Sequence, residues 1–163
     1  MRIENASARK KGKMETNTEN AASTAARTKQ VIVIVDDDKD VLELTKAIFE
    51  QYGYEVWHAP DGEKALELIA DLCNEKSQPD IIVSDVNMPH VDGVEMARIL
   101  AMGPIHGRIP ILFVSGALTG YSLEDLKPYG GHFLQKPFQF EELRRAVYDI
   151  IENASKAPGV WTP

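Results

Sequence analysis

Val31-Ile32-Val33-Ile34-Val35 is an unbroken β-branched run that ends abruptly in Asp36-Asp37-Asp38. Continuous rather than alternating apolarity marks a strand covered on both faces, as at the centre of a parallel sheet. A helical pattern follows, with Val41, Leu42, Thr45, Ile48, Phe49 and Tyr52 on one stripe and Gly53 as its stop. The strand needs helices on both sides of it, and the helix needs a sheet.

The unit then repeats. Tyr54 to Trp57 reads as a short strand, and Asp61 to Cys73 as a helix with Asp61 as N-cap. Ile81 to Val83 predicts a strand ending at Ser84-Asp85, and Asp92 to about Ala101 a helix. Ile111 to Val114 predicts a strand ending at Ser115. The helix signal over Ser122 to Lys127 is weak, because Gly116, Gly120, Pro128, Gly130 and Gly131 crowd it, so a shortened or mobile element is expected. His132 to Leu134 predicts a strand ending near Lys136. Phe140 to about Asn153 predicts an amphipathic helix with Phe140, Leu143, Val147, Ile150 and Ile151 inward. Five strands alternating with five helices predict an α/β fold, a doubly wound parallel sheet with helices on both faces.

The flanks differ from this pattern. Residues 1–29 lack periodicity and large apolar groups, so they are expected to form a disordered basic N-terminal tail. The folded domain is placed at 30–153, and 154–163 is expected to be a flexible C-terminal tail carrying Trp161. Charge divides along the same line. The whole chain has a formal net charge of -7, yet the leader holds seven basic residues against three acidic ones. An acidic globule of this kind excludes nucleic acid as the obvious partner. No stretch approaches the roughly 18 apolar residues of a membrane span, so no membrane partner is expected. The single cysteine, Cys73, cannot form an internal disulfide; a buried thiol in a reducing, cytoplasmic compartment fits.

Doubly wound sheets place their sites at the carboxyl ends of strands, near the point where strand order reverses. The residues there are Asp36, Asp37, Asp38, Asp85, Ser115 and Lys136. Carboxylates a few ångströms apart repel by roughly 1–4 kcal/mol per pair at surface-like dielectric, so the cluster needs a cation, a proton or both. All-oxygen ligands favour a hard ion, and Mg²⁺ fits better than calcium because no calcium-loop spacing is present. Mg²⁺, an ammonium and a hydroxyl together match the oxygens of a phosphoryl group, which a carboxylate can accept as an acyl phosphate. Other acids have plainer uses: Asp38 or Asp40 as a helix cap, and Asp92-Gly93 as a turn and cap. His58, His90, His106 and His132 lack metal spacing and read as surface or loop residues.

Val-Ile-Val-Ile-Val-Asp36-Asp37-Asp38, Ile-Ile-Val-Ser-Asp85-Val-Asn87-Met88-Pro89-His-Val-Asp-Gly93, Ile-Leu-Phe-Val-Ser115-Gly116-Ala117 and Phe-Leu-Gln-Lys136-Pro137-Phe138 together resemble the receiver domain of two-component response regulators over about residues 29–153. The resemblance implies a flavodoxin-like strand order of 2-1-3-4-5 and a signalling switch rather than an enzyme. It implies that Asp85 accepts a phosphoryl group from a histidine kinase or phosphotransfer protein. Mg²⁺ would be held by Asp37, Asp85 and the Asn87 backbone carbonyl, with Asp36 acting through water. Ser115 and Lys136 would stabilise the phosphoryl oxygens, and the Lys136-Pro137 peptide would be cis. Ser115 moving towards the phosphate and Phe133 filling the vacated space would switch a docking face built by the fourth helix, fifth strand and fifth helix. Pairing of two copies through that face is a further implication. A one-residue slip, Asp37 and Asp38 in place of Asp36 and Asp37, also fits the run of three aspartates.

Ten residues after Asn153 are too few for an output domain, so a stand-alone switch or phosphorelay intermediate acting on an unknown downstream protein is expected. Two rivals share some of the signals. A haloacid-dehalogenase-type phosphatase would use Asp36-x-Asp38 with Ser115 and Lys136, but Asp40 stands where that family has Thr or Val. A degenerate receiver used only for binding would not need Asp36, Asp37, Asp85, Ser115 and Lys136 together.

Overall fold

A computed structural model describes residues 29–103 and 109–156. The elements run β1 (Val31–Val35), α1 (Lys39–Gln51), β2 (Glu55–Ala59), α2 (Gly62–Asn74), β3 (Ile81–Asp85), α3 (Gly93–Ala101), β4 (Ile111–Ser115), α4 (Leu123–Leu126), β5 (His132–Gln135) and α5 (Phe140–Lys156). All strands are parallel, in the order β2-β1-β3-β4-β5. This is the doubly wound, flavodoxin-like sheet that the alternation and the resemblance predict, with its switch point between β1 and β3.

The two faces of the sheet explain why the central runs are wholly apolar. Val33 and Val35 of β1, Ile82 of β3 and Phe113 of β4 face one core, closed by Ala65, Ile69 and Leu72 of α2 and Met96 and Leu100 of α3. Their neighbours Ile32, Ile34, Val83 and Leu112 face the other, closed by Leu42 and Phe49 of α1 and Leu143 and Val147 of α5. Successive residues of a strand point to opposite faces, so a strand buried on both sides has no position for a polar side chain. The exceptions lie at strand ends, where Asp36, Ser84 and Ser115 are the buried polar side chains among the described residues.

Three helices begin on aspartates. The Asp38 carboxylate accepts from the Asp40 and Val41 amides, Asp61 from Lys64 and Asp92 from Glu95. Capping therefore falls to Asp38, and Asp40 lies in the first turn of α1 instead. Asp38→Ala is expected to cost about 1 kcal/mol. A thermal melt would register this as a fall of about 4 °C.

Several expectations need correcting. β2 starts at Glu55 and reaches Ala59, because the Tyr54 amide still bonds to the Phe49 carbonyl at the end of α1. α5 continues through Lys156, so the domain runs past the expected boundary at Asn153 into the segment expected to be tail. α4, by contrast, is short as expected: a single turn followed by a 3-10 turn at Lys127–Tyr129, where Pro128 and the left-handed Gly130 stop the α-helical ladder. Tyr52 is exposed rather than inward, its ring stacked on Phe140 with Arg144 over it. Cys73 is half-buried against the α2–α3 core rather than fully enclosed. His58 is half-buried within β2 rather than in a loop, whereas His132 is exposed and opens β5 as expected. The leader 1–28, His106 and residues 157–163 with Trp161 lie outside the described residues.

Candidate functional site

The strand register brings the predicted residues to one edge. Val35 pairs with Ser84, Asp85 with Val114, and Ser115 with Gln135, so β1, β3, β4 and β5 end at a common level. Carboxylate oxygens of Asp36, Asp37 and Asp85 come within 4.8 Å of one another. Asp36 is buried, Asp85 half-buried and Asp37 exposed. Asp38 is turned away, held by the α1 amides that it caps.

Lys136 closes the group. Its ammonium donates to Asp85 Oδ2 at 2.6 Å and to Asp36 Oδ2 at 3.0 Å. The backbone fixes the other oxygens: the Asn87 amide donates to Asp85 Oδ1 at 2.9 Å and the Asp38 amide to Asp36 Oδ1 at 3.0 Å. The Lys136 amide is itself tied to the Ser115 carbonyl at 2.9 Å, and the Lys136-Pro137 peptide is cis. Beneath the charges, Val41, Thr45, Val114, Phe138 and Leu143 line a largely apolar cavity. Lys136 also lines this cavity, while its ammonium stays with the carboxylates.

Burial holds the Asp36 carboxyl above its usual range, outweighing the Asp38 amide and Lys136, which pull it down. Burial alone would lower the Lys136 ammonium, but its hydrogen bonds to Asp85 and Asp36 prevail and raise it. A carboxyl raised on folding contributes stability that is full below its unfolded value near 3.8 and is lost as pH rises through the higher folded value. Asp36→Asn is therefore expected to raise the melting temperature of the metal-free protein at neutral pH. The gain should vanish in acid, and thermal melts across pH check this sign.

Ser115 and Phe133 lie on the other face of the sheet from Lys136. The Ser115 side chain is buried, and its hydroxyl donates to the Ala117 carbonyl at 2.8 Å. It accepts from Asn87 Nδ2 at 2.9 Å, and the same amide donates to the Ala117 carbonyl at 2.7 Å. Phe133 is half-buried beside Phe113, its register partner, in the α2–α3 core. Two features escaped the sequence reading. One is this use of the Asn87 side chain, and the other is a hydrogen bond from the Tyr121 hydroxyl to Asp92 Oδ2 at 2.8 Å. That carboxylate raises the Tyr121 hydroxyl to about 12. Neither leaves a periodicity signal, because each joins two loops.

The model of the response regulator receiver domain matches residues 32–148. The chain belongs to the response regulator receiver family. The receiver is 30% identical to sporulation initiation phosphotransferase F of Bacillus subtilis over 118 residues, covering 71% of this chain and 89% of that protein. It is 29% identical over 125 residues to the 3',5'-cyclic-nucleotide phosphodiesterase regA of Dictyostelium discoideum, covering 75% of this chain and 15% of that one. The chain also spans about half the length of the bacterial regulators it matches. Among solved structures, the chemotaxis protein CheY4 of Vibrio cholerae aligns with a TM-score of 0.65 at 29% identity, covering 75% of this chain and 98% of that one. No helix among the described residues is long and apolar enough to cross a membrane.

Proposed function

We propose that this receiver accepts a phosphoryl group on Asp85 in a Mg²⁺-dependent reaction. The observation that carries this reading is the convergence of three carboxylates and one ammonium at the β1–β3 switch point. Asp36, Asp37, Asp85 and the Asn87 carbonyl would hold Mg²⁺, which when bound supplies positive charge to the phosphoryl oxygens. The donor set fits: it is all oxygen, partly exposed and excessively negative, as a hard, partly hydrated ion requires. Asp38 is left out because its oxygen is committed to the α1 amides. This supports the Asp36/Asp37 register over Asp37/Asp38.

Within this reading an Asp85 oxygen attacks the phosphorus of a phosphohistidine on a histidine kinase or phosphotransfer protein. The new O–P bond forms as the N–P bond breaks, and the histidine leaves with its electron pair. Lys136, already paired with Asp85, neutralises charge on the phosphoryl oxygens. Ser115 then turns its hydroxyl to a phosphoryl oxygen, and Phe133 takes the space it leaves. The likeness to a protein named a phosphotransferase supports a place in a relay. A docking face for a further protein, including a second copy, and a cytoplasmic setting belong to the same proposal.

Incubation with acetyl phosphate and Mg²⁺, read by intact mass, tests the reading. One phosphoryl addition that disappears with a chelator is expected, and no addition would overturn it.

A further inference from the structure

Two side-chain ties join the β3–α3 loop (residues 86–92) to the β4–α4 loop (residues 116–122). At one end the Asn87 amide holds both the Ser115 hydroxyl and the Ala117 carbonyl. At the other the Tyr121 hydroxyl donates to Asp92, whose second oxygen is fixed by the Glu95 amide as the cap of α3. Between the ties Leu118 packs against the α2–α3 core, while the residues on either side of it are open. A β-carbon at Gly116 or Gly120 would meet nothing within 4 Å, Gly120 takes a left-handed φ of +81°, and Ala117 and Thr119 are exposed. The Tyr121 ring packs against the α2–α3 core. The anchor at this end therefore combines a buried edge with a charge-assisted hydrogen bond.

A hydroxyl carries one proton. The Ser115 proton is given to the Ala117 carbonyl here, so Ser115 can donate to a group on Asp85 only by releasing that carbonyl. Release removes one of the two bonds to the Ala117 carbonyl, so that the 116–120 turn is then tied to the β3–α3 loop by Asn87 at one end and by Tyr121–Asp92 at the other.

Resting on the reading of Asp85 as phosphoryl acceptor, we propose that the Tyr121–Asp92 hydrogen bond is a latch that holds the β4–α4 loop in its resting position and so sets the threshold for switching. Tyr121 is thus a positioning residue: it acts on the loop that carries Ser115 and touches none of the reacting atoms. A bond made in the resting state and weakened in the switched state opposes every ligand that drives the switch.

The test is Tyr121→Phe in the full chain, with beryllofluoride as the probe and Mg²⁺ saturating. The ring and its packing are retained while the hydroxyl is lost, and Asp92 keeps its bond to Glu95. Apparent beryllofluoride affinity is expected to rise about three- to tenfold, the net range for one intramolecular hydrogen bond. Mg²⁺ affinity without beryllofluoride should not change. Asp92→Asn, which keeps an oxygen for the Glu95 amide but removes the charge facing Tyr121, is expected to act in the same direction. A merely structural role gives the opposite sign, because loosening the fold weakens binding. Unchanged or weaker beryllofluoride affinity in both variants, with the wild type binding normally, overturns the latch alone. Failure of the wild type itself to bind beryllofluoride overturns the acceptor reading and the latch with it.

Discussion

Asp85→Asn is expected to abolish phosphoryl incorporation from acetyl phosphate, turning a single addition by intact mass into none. The carboxamide can still accept the Asn87 amide, so the β3–α3 loop keeps its local anchor. What disappears is the anionic oxygen now paired with Lys136 at 2.6 Å, which is the atom that would form the O–P bond. A neutral amide oxygen is far too weak a nucleophile to replace it. The same substitution leaves Lys136 with Asp36 at 3.0 Å, so the ammonium is not stranded and the fold should persist. Incorporation that survives in Asp85→Asn but is lost in Asp36→Asn, with turnover of a simple phosphomonoester, would instead place the chemistry on Asp36 as in the phosphatase alternative.

Gly93→Ala should be the most damaging single methyl in the domain. A β-carbon there would overlap the Asp85 carbonyl oxygen and lie 2.9 Å from Ser84 Oγ, while the Gly93 amide is bonded to the Val86 carbonyl. Neither the strand end nor the first turn of α3 can retreat without breaking ladder bonds. A loss of about 3 kcal/mol is expected, at the upper end of overpacking costs. That corresponds to a melting temperature lower by roughly 10 °C for a domain of this size. Because the displaced atom is the backbone of Asp85, phosphoryl incorporation should fall as well. Gly116→Ala is the control, since its β-carbon would meet nothing within 4 Å; an equal loss there would show that the effect at Gly93 is not steric.

Much of this architecture was legible in the residues. Val31–Val35 and Ile111–Val114 could be assigned to doubly covered strands because no polar residue interrupts them, and each is buried throughout. The caps at Asp61 and Asp92 were legible for the same local reason: a carboxylate just ahead of an apolar stripe satisfies free amides. Boundaries were less so. The end of β2 depends on pairing Ala59 with Val35, and α5 runs on past its last inward residues, Ile150 and Ile151, to Lys156, with the Ser155 hydroxyl donating to the Ile151 carbonyl. Tyr52 has the spacing of a core residue but lies at the end of α1, where Phe140 comes between it and the interior.

By itself the sequence determined which residues end each strand, since period and composition are local properties of the chain. Asp36, Asp85, Ser115 and Lys136 were candidates from that alone, whereas the excess of acid over base in the domain did not foretell their chemistry. Only the tertiary structure decided which aspartates converge. The three are adjacent in sequence, and the choice turns on where the α1 amides lie: they claim Asp38, leaving Asp36 and Asp37 facing Asp85. The same holds for the Asn87 amide on Ser115 and the Tyr121 hydroxyl on Asp92, separated by 28 and 29 positions along the chain. Hydrogen bonds between loops depend on directions in space that no periodicity encodes.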